Sequence, residues 1–239
     1  MARTDRPLLR WIGRHELGSV AALSMLAAAV WMFAELAEEV LEQETHAFDR
    51  RLLLGLRTAG DPSDPIGPGW LEGTVRDFTA LGSVGVLTVL TLLVAGFLWL
   101  GERRRTTLFL LVAVSGGIFL SFLLKHAFAR PRPDLVPHLQ SVYTSSFPSG
   151  HAMLAAVVFM TLAALLARVQ ESLRVKAYLI GAGTLLTLVV GSSRVYLGLH
   201  WPTDVLAGWT AGGAWALGCW AIASWLQRRG TIEPQPPPE

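Results

Sequence analysis

Six uncharged stretches limit what this chain can fold into: Leu17–Ala34, Phe78–Gly101, Thr106–Leu124, Ala152–Ala167, Ala177–Ser193 and Val205–Gln227. A helix rising 1.5 Å per residue needs about 20 apolar residues to cross ~30 Å of hydrocarbon. Inside a bilayer every backbone N–H and C=O must be paired within the protein, so such stretches are read as helices. The fourth and fifth are slightly short, and polar residues flank both. Charged residues make up 16% of the chain, against about 25% in an ordinary soluble domain. The expected fold is all-α: a polytopic bundle of six transmembrane helices forming one membrane domain over residues 1–230. A disordered tail follows over 231–239, where EPQPPPE cannot build a packed core.

The charges orient this bundle. Arg3, Arg6, Arg10 and Arg14 precede the first run. Arg103-Arg104-Arg105, then Arg168, Arg174 and Lys176, and finally Arg228-Arg229 occupy the even-numbered loops and the C-terminal end. The positive-inside rule places these segments in the cytoplasm, with both termini inside and three loops outside. The first run is longer than the ~7–15-residue core of a secretory signal and reads as a span. A multi-pass protein of the cell (inner) membrane is expected. Nucleic-acid binding is not, because the basic residues are scattered over four segments without interleaved aromatics. Cys219 stands alone in the last run, which excludes an internal disulfide and a cysteine zinc site.

The first outward segment, about Glu35 to Asp77, is long and acidic. Its centre, TAGDPSDPIGPG, reads as turns. In HAFDRRLLLGLR just before it, Phe48, Leu52 and Leu56 recur every four residues. They line one face of a short helix that either lies in the membrane interface or caps the bundle. Gly208 and Gly212 form a GxxxG in the last run, which predicts close helix packing.

Counting crossings brings three polar stretches to the outer face. Lys125 ends the third run and KHAFARPRP leads outward, with Pro131 and Pro133 stopping the helix near Ala129. FPSGHAM opens the fourth run, and SRVYLGLHWPTD joins the fifth to the sixth. Lys125, Arg132 and Arg194 then converge as three cations, with Arg130 a fourth candidate and only Asp134 and Asp204 nearby to balance them. A single cation at a helix end is ordinarily explained by snorkelling to lipid head groups. Three in one place call for an anion, and guanidinium forks suit phosphate. Ser149 and Gly150 stand where a helix begins, beside free N–H groups that attract anions, and His151 follows. His200 and Asp204 are four apart around Pro202. If a helix starts near Trp201, the carboxylate reaches the imidazole and holds its tautomer, leaving the other nitrogen free to attack. The assembled reaction is phosphoryl transfer. His200 is the nucleophile, Asp204 its orienting partner and His151 the acid and then the base. Lys125, Arg132, Ser149, Gly150 and Arg194 bind phosphate, and neither a metal nor a cofactor is required.

These residues resemble the three signatures of the type 2 phosphatidic acid phosphatase superfamily. Lys125, six residues, then Arg132-Pro133 is similar to the first, and Pro148-Ser149-Gly150-His151 to the second. Ser193-Arg194, five residues, His200, three residues, then Asp204 is similar to the third. All three occur ungapped and in the family's order. The resemblance implies the same roles for these residues and a metal-independent phosphohistidine mechanism on a lipid phosphate or diphosphate. The superfamily also contains soluble vanadium haloperoxidases, a branch the apolar runs argue against. The expected function is an integral membrane phosphatase with its site on the periplasmic or extracellular side. Its substrate would be a polyprenyl diphosphate, a phosphatidylglycerophosphate, a phosphatidic acid or a lipid A phosphate. A lipid-to-lipid phosphotransferase and a non-catalytic lipid-phosphate binder or transporter are the alternatives. The sequence leaves the oligomeric state open.

Overall fold

A computed structural model describes residues 6–134, 145–168 and 170–233. Arg3, the middle of the second outward loop (135–144) and tail residues 234–239 lie outside the described residues. The described chain is helical apart from a two-stranded hairpin, as the apolar runs require. In order come α1 (Arg6–Leu41), α2 (His46–Gly55), β1 (Arg57–Thr58), β2 (Asp61–Pro65), α3 (Gly69–Ala80), α4 (Val84–Leu100) and α5 (Arg104–Ala127). After the second outward loop, α6 (Gly150–Ala155) runs through a π-helical turn (Ala156–Met160) into α7 (Thr161–Arg168). The chain finishes with α8 (Leu173–Tyr196) and α9 (Pro202–Arg228).

Among the described residues, five helices are long and apolar enough to cross a bilayer, and a sixth crossing needs α3 and α4 to count as one span bent by 52°. This departs from a straight second span over Phe78–Gly101. Ser83 caps α4, its hydroxyl accepting from Val86 N (3.3 Å), so the run breaks at Leu81–Ser83. The fourth and fifth spans are longer than their apolar runs because the flanking polar residues are helical too, giving Gly150–Arg168 and Leu173–Tyr196.

The fourth span is the axis of the bundle, with 67% of its most apolar window buried against 6–39% in the others. Ala152 through Phe159 are all buried, packed against Leu87, Leu110, Val114 and Val190 from α4, α5 and α8. Around this axis, Leu92, Phe97, Val112, Phe119, Leu185 and Ile222 are exposed, as a face turned to lipid requires. Helix α9 lies directly on α6. A Cβ on Gly208 would sit 2.8 Å from Ser149 O, and one on Gly212 2.5 Å from Met153 O. Only glycine permits that approach, so the GxxxG explains how the start of α6 meets the start of α9.

Two expectations about the periphery need correction. The central outward loop holds the hairpin as well as turns. Thr58 pairs with Asp61 across Ala59-Gly60, and Gly60 takes φ +89°, a backbone state that a side chain disfavours. The tail does not begin at Thr231. Ile232 is buried, and the Glu233 carboxylate accepts from Arg105 N (2.9 Å) and from Thr106 N (2.9 Å) and Oγ1 (2.8 Å). Those are unpaired N–H groups at the start of α5, which a carboxylate satisfies well.

Candidate active site

Two loops and four helix ends, those of α5, α6, α8 and α9, meet at one end of the bundle. The segment after α5 and the segment before α6 run side by side, with Ser146 N donating to Arg130 O (2.9 Å). An aromatic cluster holds them from behind: Phe147 packs against Phe128 (ring centroids 5.0 Å apart) and Phe33 (5.9 Å). Ser149 N donates to Asp204 O (2.9 Å), tying the beginning of α6 to the first turn of α9.

Helix α9 begins as its sequence suggests. Pro202 takes the first helical position, where its missing N–H is not needed. Asp204 is the third residue of the helix, and its Oδ2 accepts from Trp201 N (2.9 Å). The same oxygen accepts a very short hydrogen bond from Ser146 Oγ and lies 3.4 Å from His200 Nδ1. On the far side of the ring, Arg132 Nη1 stands 3.2 Å from His200 Nε2 and donates to Leu199 O (2.8 Å). A guanidinium only donates, so Nε2 is the acceptor and the ring proton sits on Nδ1, toward Asp204. The lone pair of His200 therefore faces the cations.

The cations gather at this end of the bundle. Lys125 donates to Ser145 O (2.9 Å), and its charged neighbours are Arg132, Asp204 and Arg194. His151 lies in the field of Arg194, His200, Lys125 and Arg132. Gly150 lets Lys125 come close, since a Cβ there would stand 3.0 Å from Lys125 Cε. The α3–α4 bend supports the same region. A Cβ on Gly82 would lie 3.4 Å from His151 Cβ, and Thr79 Oγ1 accepts from Arg194 Nη1 (3.2 Å). Lys125, Arg132, Ser149, Gly150, His151, Arg194, His200 and Asp204 thus share one site. Ser149 Oγ and Arg194 Nε are buried there without a hydrogen-bond partner among the described residues.

Burial dominates the electrostatics. It pushes the His200 imidazole down to about 4, although the Asp204 carboxylate pulls the other way and Arg132 and Arg194 add to the depression. Near neutral pH the ring is uncharged. Burial also lowers the Arg132 guanidinium from its ordinary value, opposed by Asp204.

Arg130 is not a fourth member of the cage. It donates through Nη1 to Asp204 Oδ1 (2.6 Å) and Thr203 Oγ1 (2.8 Å), and through Nη2 to Asp49 Oδ2 (2.7 Å) and Thr45 Oγ1 (3.2 Å). The balancing acid that the sequence reading overlooked is Asp49, fully buried on α2, whereas Asp134 is exposed. The packed face of α2 is Thr45, Asp49 and Leu53, while Phe48 and Leu52 are exposed. Ser146, Thr79 and Thr203 were also missed. The only sequence signal for the α2 face was the four-residue spacing of Thr45, Asp49 and Leu53, and one helix alone does not say which stripe is covered.

Several known proteins resemble this chain. A phosphatidylglycerophosphatase B of Bacillus subtilis is 35% identical over 145 residues, covering 60% of this chain and 70% of that protein. A lipid A 1-phosphatase of Rhizobium etli is 32% identical over 128 residues, 50% of this chain and 48% of that protein. The crystal structure of a transmembrane PAP2-type phosphatidylglycerolphosphate phosphatase from Bacillus subtilis superposes with a TM-score of 0.68 at 25% identity. That match covers 87% of this chain and 98% of that one. The profile of the PAP2 superfamily matches residues 105–228, just over half of the chain and the stretch that carries all three polar signatures. The chain therefore belongs to the PAP2 superfamily.

Proposed function

We propose that this protein is an integral membrane lipid phosphatase that cleaves a lipid phosphate monoester or diphosphate through a phosphohistidine. One observation carries the reading: Ser149 Oγ and Arg194 Nε are buried without partners among the described residues in a site shared with Lys125, Arg132 and two histidines. An unsatisfied buried polar group costs about 1–3 kcal/mol, so two in one cationic site point to an anionic ligand that pairs with them. A phosphoryl group, with three oxygens to satisfy, fits that donor set.

The steps follow from the tautomer. His200 Nε2 attacks phosphorus in line and a P–N bond forms as the P–O bond to the lipid breaks. His151 gives its proton to the departing oxygen. A water then attacks the phosphohistidine, His151 removes its proton, and the P–N electron pair returns to Nε2 as inorganic phosphate leaves. Lys125, Arg132 and Arg194 supply the positive charge that stabilises the equatorial oxygens throughout. That charge makes a metal unnecessary for this chemistry.

The names of the relatives favour a glycerophospholipid phosphate such as phosphatidylglycerophosphate, with polyprenyl diphosphate, phosphatidic acid and lipid A phosphate as the other classes to test. The positive-inside rule supports a site on the exterior or periplasmic face of the cell membrane. Arg103–Arg105, Arg168 and Arg228-Arg229 sit at the opposite end of the bundle, where Arg105 reaches the carbonyl of Thr231 (3.1 Å) and Arg168 reaches Gln227 (2.9 Å). Purified protein in detergent is expected to release inorganic phosphate from short-chain members of this panel in the presence of EDTA. No release from any of them overturns the reading in favour of a binder.

The pH dependence carries a sign. Protonation removes the lone pair of His200, so kcat/KM falls as pH drops through the pKa of the free enzyme's nucleophile. Burial holds that value near 4, so the acid limb is expected there, well below the ordinary imidazole value of about 6.5. An acid limb at the ordinary imidazole value, once the second ionisation of the substrate phosphate at about 6 is separated from it, contradicts the assignment of His200.

A further inference from the structure

We propose that Asp49 and Arg130 are positioning residues for the nucleophile, acting through Asp204; the inference rests on His200 being that nucleophile. Arg130 bridges two buried carboxylates. Its Nη1 holds Asp204 Oδ1 at 2.6 Å and its Nη2 holds Asp49 Oδ2 at 2.7 Å. Both carboxylates are completely buried, and the Arg130 side chain is 11% exposed. Pinning Oδ1 fixes the rotation of the Asp204 carboxylate and leaves Oδ2 directed at His200 Nδ1. Asp49 also fastens the helix that carries Asp204. Its Oδ1 accepts from Thr203 N (2.9 Å) and its Oδ2 from Thr203 Oγ1 (2.6 Å), one residue before Asp204 in the first turn of α9.

Charge is the second half of the argument. Asp49, Arg130 and Asp204 together carry one negative charge, which faces an imidazole that becomes cationic as it forms the P–N bond. Without the Asp49 charge, Arg130 would cancel Asp204 alone and the developing cation would face a neutral pair. In a buried site that difference is only weakly screened. A helix of the first outward segment thereby sets the reactivity of a residue at the start of the last span. A purely structural role, docking α2 onto α9, predicts something else: fewer folded molecules, each of normal activity.

Asp49→Asn keeps the shape and removes the charge. Thr203→Val keeps the shape and removes the hydroxyl shared by Asp49 and Arg130. Each is measured as kcat and KM per folded molecule on a short-chain lipid phosphate, with His200→Ala in parallel. The expected result for Asp49→Asn is a kcat lower by about tenfold or more with KM within about threefold, the pattern of an interaction made in the transition state. Thr203→Val is expected to lose several-fold in the same direction, and it decides the matter if Asp49→Asn does not fold. Normal kcat per folded molecule in these variants, with His200→Ala inactive, overturns this inference alone. An active His200→Ala overturns the functional reading and this inference with it.

Discussion

His200→Ala is expected to lower turnover by at least about 10⁴-fold, the scale seen when a nucleophile is removed from an otherwise intact site. The variant is also expected to stay folded. Asp204 keeps its hydrogen bonds from Trp201 N, Ser146 Oγ and Arg130 Nη1 when the imidazole is gone, so no buried carboxylate is left unpaired. The cationic cage remains as well, so the variant should still bind a lipid phosphate while failing to cleave it. The check is phosphate release beside a binding measurement on the same preparation, with acid-labile, base-stable phosphoprotein sought in the wild type and absent from the variant. Substantial turnover by folded His200→Ala would move the nucleophile to another residue, and His151 is the nearest alternative in the field of the same cations.

His151→Ala is expected to split by leaving group. An alkoxide departs only with a proton, so the loss on an alkyl phosphate should be about 10²–10⁴-fold, the usual worth of a positioned acid. An aryl phosphate with an acidic phenol leaves without help, and phosphorylation of His200 should proceed nearly as in the wild type. The second half-reaction still needs His151 to deprotonate water. The variant should therefore release one equivalent of phenol per site in a burst and then stall as the phosphohistidine. That combination separates an acid–base role from a binding role, in which both substrates would lose equally and no burst would appear.

How much of this was legible beforehand depended on the range of the interactions. Pro202 stands at a helix start because the effect of its missing N–H acts within one turn. The Asp204 carboxylate reaches back to Trp201 N and His200 for the same reason. The two-glycine stripe of α9 was readable because a Cβ has nowhere to go when backbones touch. By contrast, Arg130 and Arg132 are two residues apart, of the same type and on the same segment. One turns to two carboxylates and the other to the unprotonated nitrogen of His200, and nothing local distinguishes them. The covered face of α2 was hidden for a related reason. In a membrane protein an apolar stripe can face lipid, so the covered face of α2 is its polar one, where Thr45 and Asp49 find partners.

That the long apolar runs are helices was determined by the sequence alone, because pairing the backbone within lipid leaves such a run little choice. The parity of crossings then put the three polar signatures at one end. Only the tertiary structure decided which carboxylate balances which cation, which ring nitrogen of His200 is free, and that the second apolar run is bent to bring Thr79 to Arg194. Those outcomes rest on contacts spanning 81, 68 and 115 residues of chain. In such pairs the geometry of each charged group is set by neighbours that no local pattern encodes.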